Sequence, residues 1–190
     1  MRRGALLVAL ALFGAIGGGC LPVGVARAAS EAKDVSERAM TVRYGEAIAP
    51  IMRELNRTTA SDDAYLESET VRLAKAKDET GIRVLQIGYL RQCQRVAVKA
   101  MSEIDALGQV PPKFARLVDL QRKILKLRIA SGRSGAVALA EDDMARVEAV
   151  VAREERELPP LQRELATEAK ALIAEGEAMV ADAEKVKGEG

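Results

Sequence analysis

An apolar stripe between residues 82 and 107 constrains the fold of this chain more than any other feature of the sequence. Its apolar positions recur every three or four residues and therefore stay on one face of an α-helix. No run of the sequence alternates polar and apolar residues with the period of two that a half-buried strand needs. The stripe predicts a helix of at least 26 residues that ends near Gly108, and its members are Ile82, Leu85, Tyr89, Cys93, Val96, Ala100, Ile104 and Leu107.

Similar stripes predict helices in the rest of the chain. The residues upstream of the first stripe either continue its helix with a rotated face or belong to a helix that breaks at Gly81, and both interpretations stay open. The last stretch has apolar residues at close to the heptad spacing of a coiled coil, and Glu154 is the one poor position in that stripe. The predicted helical stretches are 31 to 56, 62 to 107, 112 to 131 and 136 to 187, with a helix start at Ser61-Asp62-Asp63.

Prolines and a glycine-rich segment are the predicted boundaries of these helices. Pro50, Pro112 and Pro160 are each followed five residues later by a leucine. Proline fits the first turn of a helix and disfavours helical backbone at the residue before it, so each of the three is a predicted helix start. Their uneven spacing argues against a functional repeat. The sequence "SGRSG" at 131 to 135 is a predicted turn between two helices.

The composition also favours a helical bundle. Aromatic residues make up only 3% of the chain, and Ala, Leu, Val, Glu, Lys and Arg dominate it, as they do in long helices. The 162 residues from Ala29 onward are enough for one domain with its own core. The sequence therefore predicts a single all-α domain from 29 to 190, an elongated antiparallel bundle of four to five helices with long second and last helices.

The first thirty residues have the pattern of a secretory signal. Two arginines, Arg2 and Arg3, precede an uncharged apolar run from 5 to 16, and Ala26-Arg27-Ala28 has the small-x-small form of a cleavage site. This pattern predicts a signal over residues 1 to 28 and export of the remainder to the periplasm or cell envelope.

Two alternatives to that cleavage stay open. Cys20 follows a glycine at the place where a lipoprotein signal over 1 to 19 has its acylated cysteine, although the large aliphatic residue expected three positions earlier is missing. Residues 4 to 25 carry no charge and are long enough to span a bilayer as an uncleaved anchor. Cys20 is therefore a candidate lipidation site, and either alternative would attach the protein to a membrane through its N-terminus.

The residue types argue against an enzyme. The chain contains no histidine, which removes the commonest general base and the usual zinc and haem ligands. Cys93 lies within the apolar stripe, where a free cysteine behaves as a small apolar residue, so we expect it to pack in the core. The acidic clusters lack the ligand spacing of a calcium loop. No catalytic residue, cofactor, metal site or nucleic-acid partner is predicted.

Charge is segregated along the second half of the chain. Residues 109 to 135 carry seven basic residues and one acidic residue, whereas residues 136 to 190 carry seven basic and fourteen acidic ones. The two segments either pair inside the fold and fix its register, or the basic residues form an exposed surface for an anionic partner. The candidate surface comprises Arg91, Arg95, Lys99, Lys113, Arg116, Arg122, Lys123 and Lys126.

These observations favour an exported, non-enzymatic helical bundle that acts as an interaction or structural protein of the cell envelope. Its expected partner is an envelope protein or an anionic surface, reached through the charge-segregated helix faces. The alternative function is a periplasmic module of chaperone type, or one that binds an anionic ligand or lipid surface. The apolar stripes are also wide enough to allow a homo-oligomer.

Overall fold

The computed structural model describes the backbone of residues 34–188 and the side chains of residues 40–175, and this part of the chain is helical without strands. The predicted all-α class is therefore confirmed. The predicted signal, Cys20 and the alternative anchor lie outside the described residues. The helices are α1 (Asp34–Lys75), α2 (Glu79–Ala106), α3 (Ala115–Ala140) and α4 (Met144–Gly188), and a 3-10 turn, Pro112–Phe114, precedes α3.

Contacts between neighbouring helices show that α2 and α3 run antiparallel. Near one end, Arg122 of α3 forms an ion pair with Asp105 of α2, with 2.6 Å between Nη2 and Oδ1. Further along, Gly132 of α3 lies against the carbonyl oxygen of Leu90. The residue number therefore rises on α3 as it falls on α2.

The same argument orients the other helices. Arg116 at the start of α3 pairs with Glu164 of α4 at 2.5 Å, and Gly135 near the end of α3 lies beside Val150. Helix α4 is thus antiparallel to α3. Helices α1 and α2 pack against each other and are joined by the three residues 76 to 78, which completes four mutually packed helices.

Two apolar clusters fill the bundle, and every helix contributes to both of them. The first cluster is the larger one and extends along the bundle from the 3-10 turn at the start of α3. It comprises Tyr44, Ile48, Leu55, Ala97, Ala100, Ile104, Phe114, Leu117, Val118, Leu120, Ile124, Leu125, Leu127, Leu158 and Leu165. The second cluster lies nearer the turns that follow α1 and α3. It comprises Leu66, Tyr89, Leu90, Cys93, Ala136, Ala138, Leu139 and Val147.

The predicted stretch from 62 to 107 is divided between two helices. The chain breaks at 76 to 78, where Lys77 has a left-handed φ of 56° and Asp78 caps α2 by accepting a hydrogen bond from the Gly81 amide at 2.7 Å. A break is therefore confirmed, but it lies at 76 to 78, and Gly81, the predicted position, is inside α2. The predicted long second helix is not confirmed, since α2 has 28 residues.

The predicted helix start at 61 to 63 is also wrong, because α1 continues through it. Leu55 and Leu66, on either side of the predicted start, are 3% and 5% exposed and lie on the same buried face. Between them, the Thr59 hydroxyl donates to the Leu55 carbonyl oxygen within the helix. Burial of that continuous face outweighs the local preference of serine and aspartate for helix termini.

Of the three prolines, only Pro112 precedes a helix start. Pro50 lies inside α1, and Pro160 lies inside α4 next to Pro159, so the other two predicted starts are wrong. Pro50 and Pro160 are exposed. Because proline has no N–H group, the carbonyl group one turn earlier loses its helical hydrogen bond, and on the exposed side of the helix it can bind water instead.

The predicted turn at "SGRSG" is wrong as well, because α3 runs through residues 131 to 135 to Ala140. Gly132 and Gly135 serve helix packing there: a Cβ atom on Gly132 would lie 2.8 Å from the Leu90 carbonyl oxygen. The actual turn is at 141 to 143, where Asp142 has a φ of 60°.

Candidate functional site

Half of the residues in the predicted basic surface form ion pairs with acidic residues of the same chain. These ion pairs join the 3-10 turn and α3 to α4, α3 to α2, and neighbouring turns of α3. Each is solvent-exposed and contributes about 0 to 1 kcal/mol, so its main effect is on register and partner choice within the fold. The pairs are Lys113 with Glu175 (3.1 Å), Arg116 with Glu164 (2.5 Å), Arg122 with Asp105 (2.6 Å) and Lys123 with Asp119 (2.8 Å).

The remaining predicted residues lie mainly on the outer face of α2. Arg91 and Arg95 are exposed and form no ion pair with any residue that the structure describes. Lys99 is one turn further along and pairs loosely with Glu103 at 3.7 Å. We call Arg91, Arg95 and Lys99 the α2 ridge. Lys126 is exposed on α3 and is separate from the ridge.

Two exposed valines continue the outer face of the α2 ridge. Val84 and Val98 are 64% and 47% exposed and lie seven residues before and after Arg91. A spacing of seven residues keeps them on almost the same side of the helix. The outer face of α2 therefore has two cations between two apolar side chains, an arrangement suited to an anionic surface with an apolar layer beneath it.

The structure also brings polar side chains together in the interior of the bundle. We call this set the polar layer; it consists of Asp63, Tyr89, Cys93, Arg128, Ser131 and Glu154, with members from all four helices. Along α1, α3 and α4 the residues of the layer lie between the first apolar cluster and the second, whereas Tyr89 and Cys93 of α2 are themselves members of the second cluster. The polar groups therefore lie where the two apolar clusters meet.

Arg128 is the central cation of the polar layer. It is 2% exposed, and its guanidinium interacts electrostatically with Asp63, Tyr89, Cys93 and Glu154. The Tyr89 hydroxyl donates a hydrogen bond to Asp63 Oδ1. Two carboxyl groups therefore share one buried guanidinium, and a buried charge of this kind is tolerated only with such partners.

One oxygen of each carboxyl group in the layer is left without a hydrogen bond. Asp63 Oδ2 and Glu154 Oε1 are buried and have no hydrogen-bond partner among the described residues. A buried ionised oxygen in this state is costly, because the protein does not replace the water that it loses. The layer therefore favours the protonated form of at least one carboxyl group.

Burial dominates the proton affinities in the layer. It raises the pKa of Glu154 to about 7, against the opposing effects of the Ser131 hydroxyl and the Arg128 guanidinium. Burial likewise raises the pKa of Asp63, although the hydrogen bond from Tyr89 lowers it. For the cation, burial lowers the pKa of Arg128. All three shifts follow from the same loss of water around a charged group.

Cys93 packs in the core, as predicted from its position in the apolar stripe. It is 8% exposed, and burial raises the pKa of its thiol to about 12. The thiolate is the nucleophilic form of cysteine, so this thiol reacts only when the surrounding helices open. The residue is therefore a useful reporter of opening and a poor nucleophile in the closed bundle.

Sequence reasoning missed the polar layer although part of its signal was present. Glu154 was the poor position in an otherwise apolar stripe, and Cys93 and Tyr89 were both members of the α2 stripe. Arg128 is one of the seven basic residues of 109 to 135 and is not part of the predicted basic surface, but a charge count does not show that its side chain faces inward.

Within residues 34–188, no helix is long and apolar enough to cross a membrane. Among residues 40–175, whose side chains are described, no group of three or more Cys, Asp or Glu could hold a metal ion. No protein-family model, curated protein or solved structure matches the chain.

Proposed function

We propose that this protein is an exported, non-enzymatic interaction protein of the cell envelope that binds an anionic surface through the α2 ridge. In this proposal residues 1 to 28 are a secretory signal, and the domain from 29 onward works in the periplasm. The proposed bundle is elongated, and the lengths of α1 and α4, 42 and 45 residues against 28 and 26 for α2 and α3, support this shape.

The observation that carries the proposal is the difference between two groups of exposed bases. The bases of α3 that face α2 and α4 have acidic partners within the fold, which accounts for them structurally. Arg91 and Arg95 have no such partner among the described residues. Two unneutralised arginines one turn apart raise the local positive potential and attract an anionic partner.

The exposed valines favour one class of anionic partner over another. Val84 and Val98 extend the arginine face with apolar surface, as in helices that lie on a phospholipid layer. An anionic bilayer offers phosphate groups to the arginines and acyl chains to the valines. An acidic polymer offers only the charge, so the valines favour the lipid surface.

Binding to anionic vesicles tests this proposal. We expect the full chain to bind vesicles that contain phosphatidylglycerol, and to bind them less well at high salt because salt screens exposed charges. Replacing both arginines, in R91Q/R95Q, should weaken binding roughly 30-fold, which corresponds to about 1 kcal/mol for each lost cation near the surface. Vesicle co-sedimentation measures the effect.

The matched control is R53Q/R163Q, which removes two exposed arginines from α1 and α4 and makes the same change in net charge. It should bind as the unmodified chain does. Equal loss of binding in both double variants would show a response to net charge without a specific site. Undiminished binding by R91Q/R95Q would refute the role of the α2 ridge.

A further inference from the structure

The polar layer has more acidic groups than its single cation balances. When both Asp63 and Glu154 are ionised, two negative charges face the one positive charge of Arg128. Glu154 is buried, whereas Asp63 is half-buried. Arg128 and Glu154 are 2% and 7% exposed, so water screens them little. The carboxyl oxygens without hydrogen bonds add to the cost of the doubly ionised state.

Glu154 is linked to the other helices of the bundle through Arg128. The guanidinium interacts with Glu154 of α4 and with Asp63 of α1, so the two carboxyl groups depend on the same cation. The groups of α2 are neutral at ordinary pH, since burial raises the pKa of both. The groups that act on Glu154 are Ser131 and Arg128 of α3 and Arg153 of α4 itself. Arg128 in turn interacts with Asp63 of α1 and with Tyr89 and Cys93 of α2.

The position of the layer decides what its ionisation would affect. The large first cluster, to which all four helices contribute, lies on one side of the polar layer. On the other side is the smaller second cluster, which lies next to the turns at 76 to 78 and 141 to 143. Helices that end in turns separate there more easily than in the middle of the bundle, because fewer buried contacts must be broken.

We propose that the polar layer is a pH-sensitive latch that closes the end of the bundle containing the second apolar cluster. A proton on the Glu154 carboxyl group keeps this end closed. Loss of that proton to solvent leaves two carboxylates around one guanidinium and favours an open form, in which the second apolar cluster and Cys93 become accessible. The latch is independent of the α2 ridge and of vesicle binding.

The direction of the pH dependence follows from the proton affinities of the two forms. The pKa of Glu154 is about 7 in the closed bundle, against an ordinary value of 4.5 once the carboxyl group reaches water. The closed form therefore binds the proton more tightly, and opening becomes easier as the pH rises. For these two pKa values, opening increases about tenfold between about pH 6 and about pH 8.

Alkylation of Cys93 in the native full chain measures the opening directly. The rate of N-ethylmaleimide labelling is divided by the rate for the urea-unfolded chain at the same pH, which removes the intrinsic pH dependence of the thiol. Mass spectrometry of the peptide that contains Cys93 separates it from Cys20. We expect the protection of Cys93 to fall about tenfold between about pH 6 and about pH 8.

Two variants make the measurement specific. E154Q imitates the protonated side chain and should keep the protection of Cys93 constant over this pH range. E155Q removes an exposed carboxyl group from the next position and should retain the full pH response. Circular dichroism verifies that both variants keep the helix content of the unmodified chain.

Hydrogen exchange in the unmodified chain provides a test that needs no variant. The latch predicts faster exchange at the higher pH, after correction for the intrinsic rate, in peptides covering 84 to 93 and 136 to 147. Exchange in 115 to 125, within the first cluster, should change little. Equal protection of Cys93 at both pH values, or a pH response that E154Q retains, or uniform acceleration along the chain, would each overturn the proposal.

Discussion

Replacing Arg128 by methionine should lower the free energy of unfolding by about 3 to 5 kcal/mol near pH 8, the usual cost of removing one partner from a buried ion pair. Arg128 is 2% exposed and is the cation that Asp63 and Glu154 share. Methionine fills much of the same volume, so the loss is mainly electrostatic. Urea denaturation followed by circular dichroism measures the difference.

The effect of R128M should depend on pH. The guanidinium lowers the pKa of both carboxyl groups, so its removal raises both values further. At about pH 5 Glu154 then binds a proton and becomes neutral, and the loss of stability is smaller than at about pH 8. Adding E154Q to R128M should restore part of the stability near pH 8, because Glu154, the more deeply buried of the two carboxyl groups, then carries no charge.

R133M is the control for this prediction, because Arg133 is exposed on the same helix and forms no ion pair with a described residue. It should change stability by no more than about 0.5 kcal/mol. R128K keeps the charge without the planar guanidinium and should give an intermediate loss. Equal stability of R128M and R133M near pH 8 would show that Arg128 is not the central cation of the layer.

Replacing Gly132 by leucine should lower the free energy of unfolding by about 2 to 3 kcal/mol, because it overpacks the contact between α2 and α3. A Cβ atom at this position would lie 2.8 Å from the carbonyl oxygen of Leu90 and 3.2 Å from Gln94 Cβ. One of these contacts is with backbone, which a change of side-chain conformation does not relieve. The two helices must therefore separate locally.

G88L provides the matched comparison on the partner helix. Gly88 is exposed within α2, and a Cβ atom there has no neighbour within 4 Å. Leucine has the higher helix propensity, so this variant should be up to about 1 kcal/mol more stable than the unmodified chain. Thermal denaturation of both variants checks that G132L is less stable and G88L more stable than the unmodified chain. If G132L were as stable as G88L, the close approach of α2 and α3 would be wrong.

The sequence predicts the helical class and the buried face of α2 well, because both depend on periodicity. Tyr89, Cys93 and Ile104 from the predicted stripe are all less than a tenth exposed. A periodic apolar face is a property of the whole segment, and a single residue does not change it. For that reason the stripe survives in the structure although the boundaries of its helix move.

Helix boundaries are predicted less well, because local signals compete with burial. Ser61-Asp62-Asp63 has the residue types of a helix start, yet it lies in the middle of α1. Pro50 and Pro160 suit a first turn, yet both are exposed positions within long helices. Glycines at 132 and 135 suggest a turn, whereas they allow α3 to approach α2 and α4 closely. Each local preference is worth about 1 kcal/mol or a few, which packing along a long helix exceeds.

The candidate sites depend on contacts between helices, which sequence spacing alone does not specify. Charge counting identified Arg91 and Arg116 as equivalent members of one basic surface. Only the packing of α4 on α3 separates them, because it gives Arg116 an acidic partner, Glu164. The inward orientation of Arg128 has the same origin. The sequence thus predicts which charges are present, and the fold decides which of them remain available.

The intact mass of the protein from its native host tests whether the protein is exported to the cell envelope, as we propose. Soluble and membrane fractions are separated before mass spectrometry, with a cytoplasmic marker followed in parallel. We expect an envelope fraction containing a chain that begins at Ala29, partly bound to membrane in low salt. A membrane-bound chain that begins at an acylated Cys20 would be consistent with a role in the envelope and would change only the start of the mature protein. A chain of all 190 residues found with the cytoplasmic marker would refute the proposed export.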